Sequence, residues 1–95
     1  MDKNRVFGLK QNYLKILQED GWKLKQLSDH FKKDKKIVLA AVKNSGLALQ
    51  FADKSLKKNK KIVLEAVKQS SDALKFADKS LKKDPDILKI VNKSE

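Results

Sequence analysis

His30 is the only histidine in a chain that has no cysteine, so thiolate metal sites and disulfides are excluded from the start. One imidazole without a carboxylate cluster beside it makes a poor metal-ligand set. Ser55, Ser70, Ser71 and Ser80 have no histidine placed to act as their base, and no glycine-rich run has the spacing of a phosphate cradle. The carboxylates have simpler uses. Asp34, Asp84 and Asp86 stand at the start of apolar runs, where helix caps and first-turn acids belong. Asp53 and Asp78 precede Lys57 and Lys82 by four residues, a spacing that supports a helix by a few tenths of a kcal/mol. The expectation is a protein that is not an enzyme, with no catalytic residue, no cofactor and no metal site.

Charge is the remaining chemistry. Twenty-three basic residues against twelve acidic ones leave a formal net charge of +11. The lysines cluster as KKDKK at 32–36, KKNKK at 57–61 and LKKD at 81–84. Lys32, Lys33, Lys35, Lys36, Lys57, Lys58, Lys60, Lys61, Lys82 and Lys83 are therefore the candidate contacts for an acidic partner or a polyanion. Arg5 is the single arginine, whereas direct reading of base edges favours arginine. Trp22 joins the candidates as a partner anchor, with capping of the first unit's core as its other reading.

These residues are positioned by a repeat. Residues 34–58, DKKIVLAAVKNSGLALQFADKSLKK, return at 59–83 as NKKIVLEAVKQSSDALKFADKSLKK, with six differences in 25 positions. Ile37/Ile62, Val38/Val63, Ala41/Ala66, Val42/Val67, Leu49/Leu74, Phe51/Phe76 and Leu56/Leu81 are unchanged and form the expected core. Residues 9–33 are a worn third copy that places Leu17 on Val42, Gly21 on Gly46, Leu24 on Leu49 and Phe31 on Leu56. His30 falls in the column of Ser55 and Ser80, and Trp22 in that of Leu47 and Asp72, which must be partly exposed. From Asp84 the opening of the unit begins once more.

Within a unit the apolar period is helical. Ile37, Val38, Ala41 and Val42 lie on one helix face, and Ala48, Ala52 and Leu56 follow at four-residue steps. Asp34, Asn59 and Asp84 are N-cap types at equivalent places, and Pro85 suits a first helical position. Gly21 and Gly46 are expected to end the first helix of their units in a left-handed conformation, with Ser70, Ser71 and Asp72 offering capping oxygens in the copy that lacks glycine. The prediction is an all-α fold, a short α-solenoid of stacked helical hairpins with roughly seven helices, because repeats of this length bury their apolar faces only against their neighbours. It forms a single domain over 1–95, with units at about 9–33, 34–58 and 59–83 and a half unit at 84–95. Phe51→Ala and Phe76→Ala, read as core deletions, are each expected to cost about 3–5 kcal/mol. No linker suggests a second domain, and the longest apolar run, Ile37–Val42, is far short of a membrane span. The N-terminus has no signal-peptide pattern, so the cytoplasm is the expected location.

The run IVLAAVKNSGLALQFADKSLKK resembles a tandem short helical repeat, found in bacterial proteins and catalogued as a domain of unknown function, with the skeleton V-L-x-A-V-x-x-x-G-x-A-L-x-x-A-x-x-x-L. Val38, Leu39, Ala41, Val42, Gly46, Ala48, Leu49, Ala52 and Leu56 occupy it. The resemblance implies repeated helical hairpins and carries over no catalytic residue. Function is then expected from surfaces: a non-enzymatic module for protein interaction or scaffolding with an acidic partner, or, alternatively, sequence-independent nucleic-acid binding through a lysine ridge at the turns between units. Membrane insertion is not expected, and a membrane-surface role ranks below both because the lysines sit in turns and not along one amphipathic helix.

Overall fold

The computed structural model describes residues 3–93, with side chains from 8 to 92. Residues 1, 2, 94 and 95 of the expected domain, and the side chain of Arg5, lie outside the described residues. Among those described the chain is all-α, without a strand. In order it runs α1 (Lys3–Glu19), the 3-10 segment η1 (Gly21–Gln26), α2 (Asp29–Lys32), α3 (Lys35–Asn44), η2 (Gly46–Phe51), α4 (Lys54–Lys57), α5 (Lys60–Gln69), η3 (Ser71–Phe76), η4 (Lys79–Leu81) and α6 (Pro85–Lys93). The starts of α3 and α5, of η2 and η3, and of α4 and η4 are each 25 residues apart. No helix of the described residues is long and apolar enough to cross a membrane.

Each long helix from α3 onward starts where a short polar side chain satisfies amides that the helix leaves unpaired. Asp34 accepts hydrogen bonds from the Lys36 and Ile37 N–H groups at 2.9 and 3.2 Å. Asn59 accepts from Ile62 at 3.2 Å, and Asp84 from Asp86 and Ile87 at 2.9 and 3.4 Å. Pro85 opens α6, as its fixed φ suits.

The second half of the unit departs from the expected hairpin. The stretch read as one helix is a 3-10 segment, two extended residues, Ala52 and Asp53, and then a single helical turn. Asp53 is the cause. Its carboxylate accepts from both the N–H and the hydroxyl of Ser55, at 3.0 and 2.7 Å, and so starts a new turn where a continuous helix would have run through. Asp78 does the same with Ser80 at 3.0 and 2.6 Å. The two aspartates are caps rather than the (i, i+4) ion-pair partners of Lys57 and Lys82. Consecutive units are also joined by backbone bonds at these breaks, Asp53 N–H to Lys32 O and Asp78 N–H to Lys57 O, each 3.0 Å.

The glycine expectation is corrected too. Neither Gly21 nor Gly46 has a positive φ; each opens a 3-10 segment and is buried. A Cβ on Gly21 would lie 2.3 Å from the Ala41 carbonyl oxygen, and one on Gly46 would lie 2.2 Å from that of Ala66. Glycine is required because the next long helix packs directly against the backbone at this point. Asn44 strengthens the same contact, accepting from the Gly21 N–H at 2.8 Å and donating to the Gln18 carbonyl at 2.9 Å. In the third unit Ser71 holds the column, and the close packing of η1 on α3 and of η2 on α5 is not matched to the same extent between η3 and α6. The serine cap expected there does not form, since Ser70 precedes η3 in extended conformation without a side-chain capping bond.

α1 packs on α3, α3 on α5 and α5 on α6, while η1, η2 and η3 line up beside them, in a body of 46 × 24 × 18 Å. The core follows the repeat columns: Leu17, Val42 and Val67; Leu24 and Leu49; Phe31, Leu56 and Leu81; Ile37, Ile62 and Ile87 are all buried. Phe51 and Phe76 do not belong to this set. They are half-buried and pack against the core from its rim.

Candidate interaction surface

The turns between units deliver lysines from neighbouring units to common grooves. In one groove Lys54, Lys57 and Lys58, from α4 and its end, face Lys79 and Lys82 across Phe76, with Asp78 as the only acid in its lining. The Lys75 ammonium stands 5.3 Å from the centre of the Phe76 ring, a cation–π contact at an exposed edge. A second groove lies between α3 and α5, where Lys35, Lys36 and Lys61 surround Leu39, Ile62 and Asn59. Lys36 also borders a third, between α1 and α3, with Lys43.

The remaining candidates lie outside these grooves. Lys60, read as part of the ridge, is engaged with Asp84 at 3.3 Å and Asp86 at 2.6 Å. Those bonds, to Asp86 first and then Asp84, raise the pKa of its ammonium. Lys32 is half-buried and its carbonyl is held by Asp53 N–H. Lys33 and Lys83 are exposed, and Lys33 lies near enough to Asp53 to favour its ionised form. Lys54 and Lys79, absent from the sequence-based set, join the groove because the chain breaks at Asp53 and Asp78 and each lysine opens the short turn that follows. Their position three residues before the KK pair was the available signal, hidden by the assumption of a continuous helix.

Trp22 is 46% exposed and meets Phe51 edge-on at 5.2 Å, in the geometry favoured by aromatic quadrupoles. It covers the rim of the core and keeps nearly half its surface in solvent. His30 is exposed on α2, its ring 5.1 Å from that of Phe31. Among the described residues no three side chains of metal-ligand type are grouped.

A family model described as Domain of unknown function (DUF4116) matches residues 10–57, 34–82 and 59–94, in windows that advance by about one unit. The chain belongs to the DUF4116 family. The windows together span nearly the whole chain, including the worn first copy, whose buried Leu17, Leu24 and Phe31 occupy the same columns as the later units. No curated protein and no solved structure resembles this DUF4116 chain closely enough to count as a match.

Proposed function

We propose that this DUF4116 chain is a short α-solenoid that works without catalysis, as an interaction module or scaffold for a protein with an acidic surface. The observation that carries this reading is the groove that five lysines from adjacent units line together with Phe76. Clustered ammonium groups favour an anionic partner, and an aromatic floor favours one that also has apolar side chains, which is the composition of an acidic peptide. Stacked repeats suit extended partners because each unit adds surface of the same kind.

The test is fluorescence anisotropy with a fluorescein-labelled peptide of repeated Glu-Leu-Glu-Gly sequence, against a Gln-Leu-Gln-Gly control. Selective binding of the acidic peptide, weakened about tenfold or more when Lys57, Lys58 and Lys82 are changed to glutamine, is the expected result. Equal behaviour of the two peptides would sink the reading. A second reading, sequence-independent polyanion binding, is favoured by the recurrence of lysine pairs at every inter-unit turn. It predicts duplex DNA binding that falls steeply between roughly 50 and 200 mM salt.

A further inference from the structure

We infer that the junction between α3 and α5 is a carboxylate-binding subsite, which takes an acidic side chain of a partner peptide beside an aliphatic one. This rests on the acidic-partner reading above and locates it. Lys10, Lys35 and Lys60 occupy one repeat column, each 24 residues before the residue that caps the next long helix. At the first junction that cap is an acid, and the Lys10 Nζ lies 2.7 Å from Asp34 Oδ2. At the last junction Lys60 has two acids, with Nζ 3.3 Å from Asp84 and 2.6 Å from Asp86. At the middle junction the equivalent positions are Asn59 and Lys61.

Asn59 keeps the capping bond to the Ile62 N–H but offers Lys35 no charge. Lys35, Lys36 and Lys61 thus border a cavity of about 380 Å³ that no carboxylate of the described residues lines, with the half-buried Leu39 beside them. With three lysines and no acid in that lining, a carboxylate entering the groove meets positive charge on both sides and can form charge-assisted hydrogen bonds. The molecule itself supplies that carboxylate at the first and last junctions. Leu39 gives the neighbouring side chain an apolar seat, which a phosphodiester backbone cannot use.

Asn59→Asp tests this without disturbing the fold, because aspartate already caps α3 and α6 at the same column. In the variant the introduced carboxylate is expected to pair with Lys35, so that the protein melts no lower than the parent and binds the Glu-Leu-Glu-Gly peptide about tenfold more weakly. Lys25→Gln, which lowers the net charge by the same one unit at an exposed site on η1, is expected to leave the affinity within about twofold, since distant surface charges are screened. Equal losses in the two variants, or none in Asn59→Asp, would overturn the subsite while leaving the acidic-partner reading intact. Failure of the parent protein to bind the acidic peptide would overturn both. Duplex DNA binding that responds to Asn59→Asp when peptide binding does not would assign the junction to phosphates and overturn the carboxylate proposal.

Discussion

Gly46 and Gly8 are both glycines in helical backbone, and their surroundings give them opposite consequences on substitution. A Cβ at Gly46 would lie 2.2 Å from a backbone oxygen, which cannot swing aside as a side chain would, whereas a Cβ at Gly8 meets nothing within 4 Å. Gly46→Ala is therefore expected to lose about 1–3 kcal/mol through forced separation of η2 and α5. Gly8→Ala should gain about 0.5–1 kcal/mol by reducing the freedom of the unfolded chain. Urea unfolding of the two variants checks both signs, and a stable Gly46→Ala would contradict the close approach described here. The need for glycine at 21 and 46 was legible in the sequence, but its reason was not. A left-handed turn and a tight backbone contact select the same residue, and only the neighbouring carbonyl distinguishes them. Asn44 was hidden similarly, since its exchange for Gln69 reads as a neutral polar change until the bond to Gly21 is seen.

At the scale of elements, α3, α4, η4 and α6 begin at carboxylates, and that makes their stability depend on pH. The Ser55 hydroxyl and N–H hold the Asp53 carboxyl below the usual range, and Ser80 does the same for Asp78. At Asp34 and Asp84 burial pushes the pKa up, but it is outweighed at Asp34 by Lys10 and the helix amides, and at Asp84 by Lys60 and the helix amides, so both are also lowered. Groups with a folded pKa below the unfolded 3.8 contribute stability that is complete above that value and is lost as pH falls through the folded pKa. Lys60, raised above 10.5, adds a contribution present below that value and lost as pH rises through its folded pKa. The melting temperature is expected to be level from about pH 5 to 9 and to drop below about pH 4. Thermal melts followed by circular dichroism across that range check this, and a drop between about pH 5 and 7 would point to a group other than these caps. The caps at Asp34, Asn59 and Asp84 were readable from residue type and position. Those at Asp53 and Asp78 were not, because an aspartate four residues before a lysine fits a continuous helix and a cap equally well until the serine two residues on is seen bonded to it.

Over the whole molecule, stability rests on the buried columns rather than on the aromatic rim. Leu49 is fully buried between units, and Leu49→Ala is expected to cost about 2–5 kcal/mol, a large share of what a domain this size has. Phe51, half-buried under Trp22, should cost about 1–2 kcal/mol on truncation to alanine, less than its aromatic bulk suggested. Denaturant unfolding of the two variants ranks them, and a larger loss for Phe51→Ala would reverse the assignment of core and rim. The sequence by itself determined the all-α class, the 25-residue spacing of the elements, the capped starts of the long helices and nearly all of the buried columns. Those follow from local rules of periodicity and capping, which each copy of the repeat states again. Only the tertiary structure decided which lysines share a groove, which already hold a carboxylate, why glycine opens the 3-10 segments η1 and η2 and where the second helix breaks. Most of these depend on a residue roughly one unit away meeting its partner across a packed junction, a distance in space that spacing along the chain does not encode.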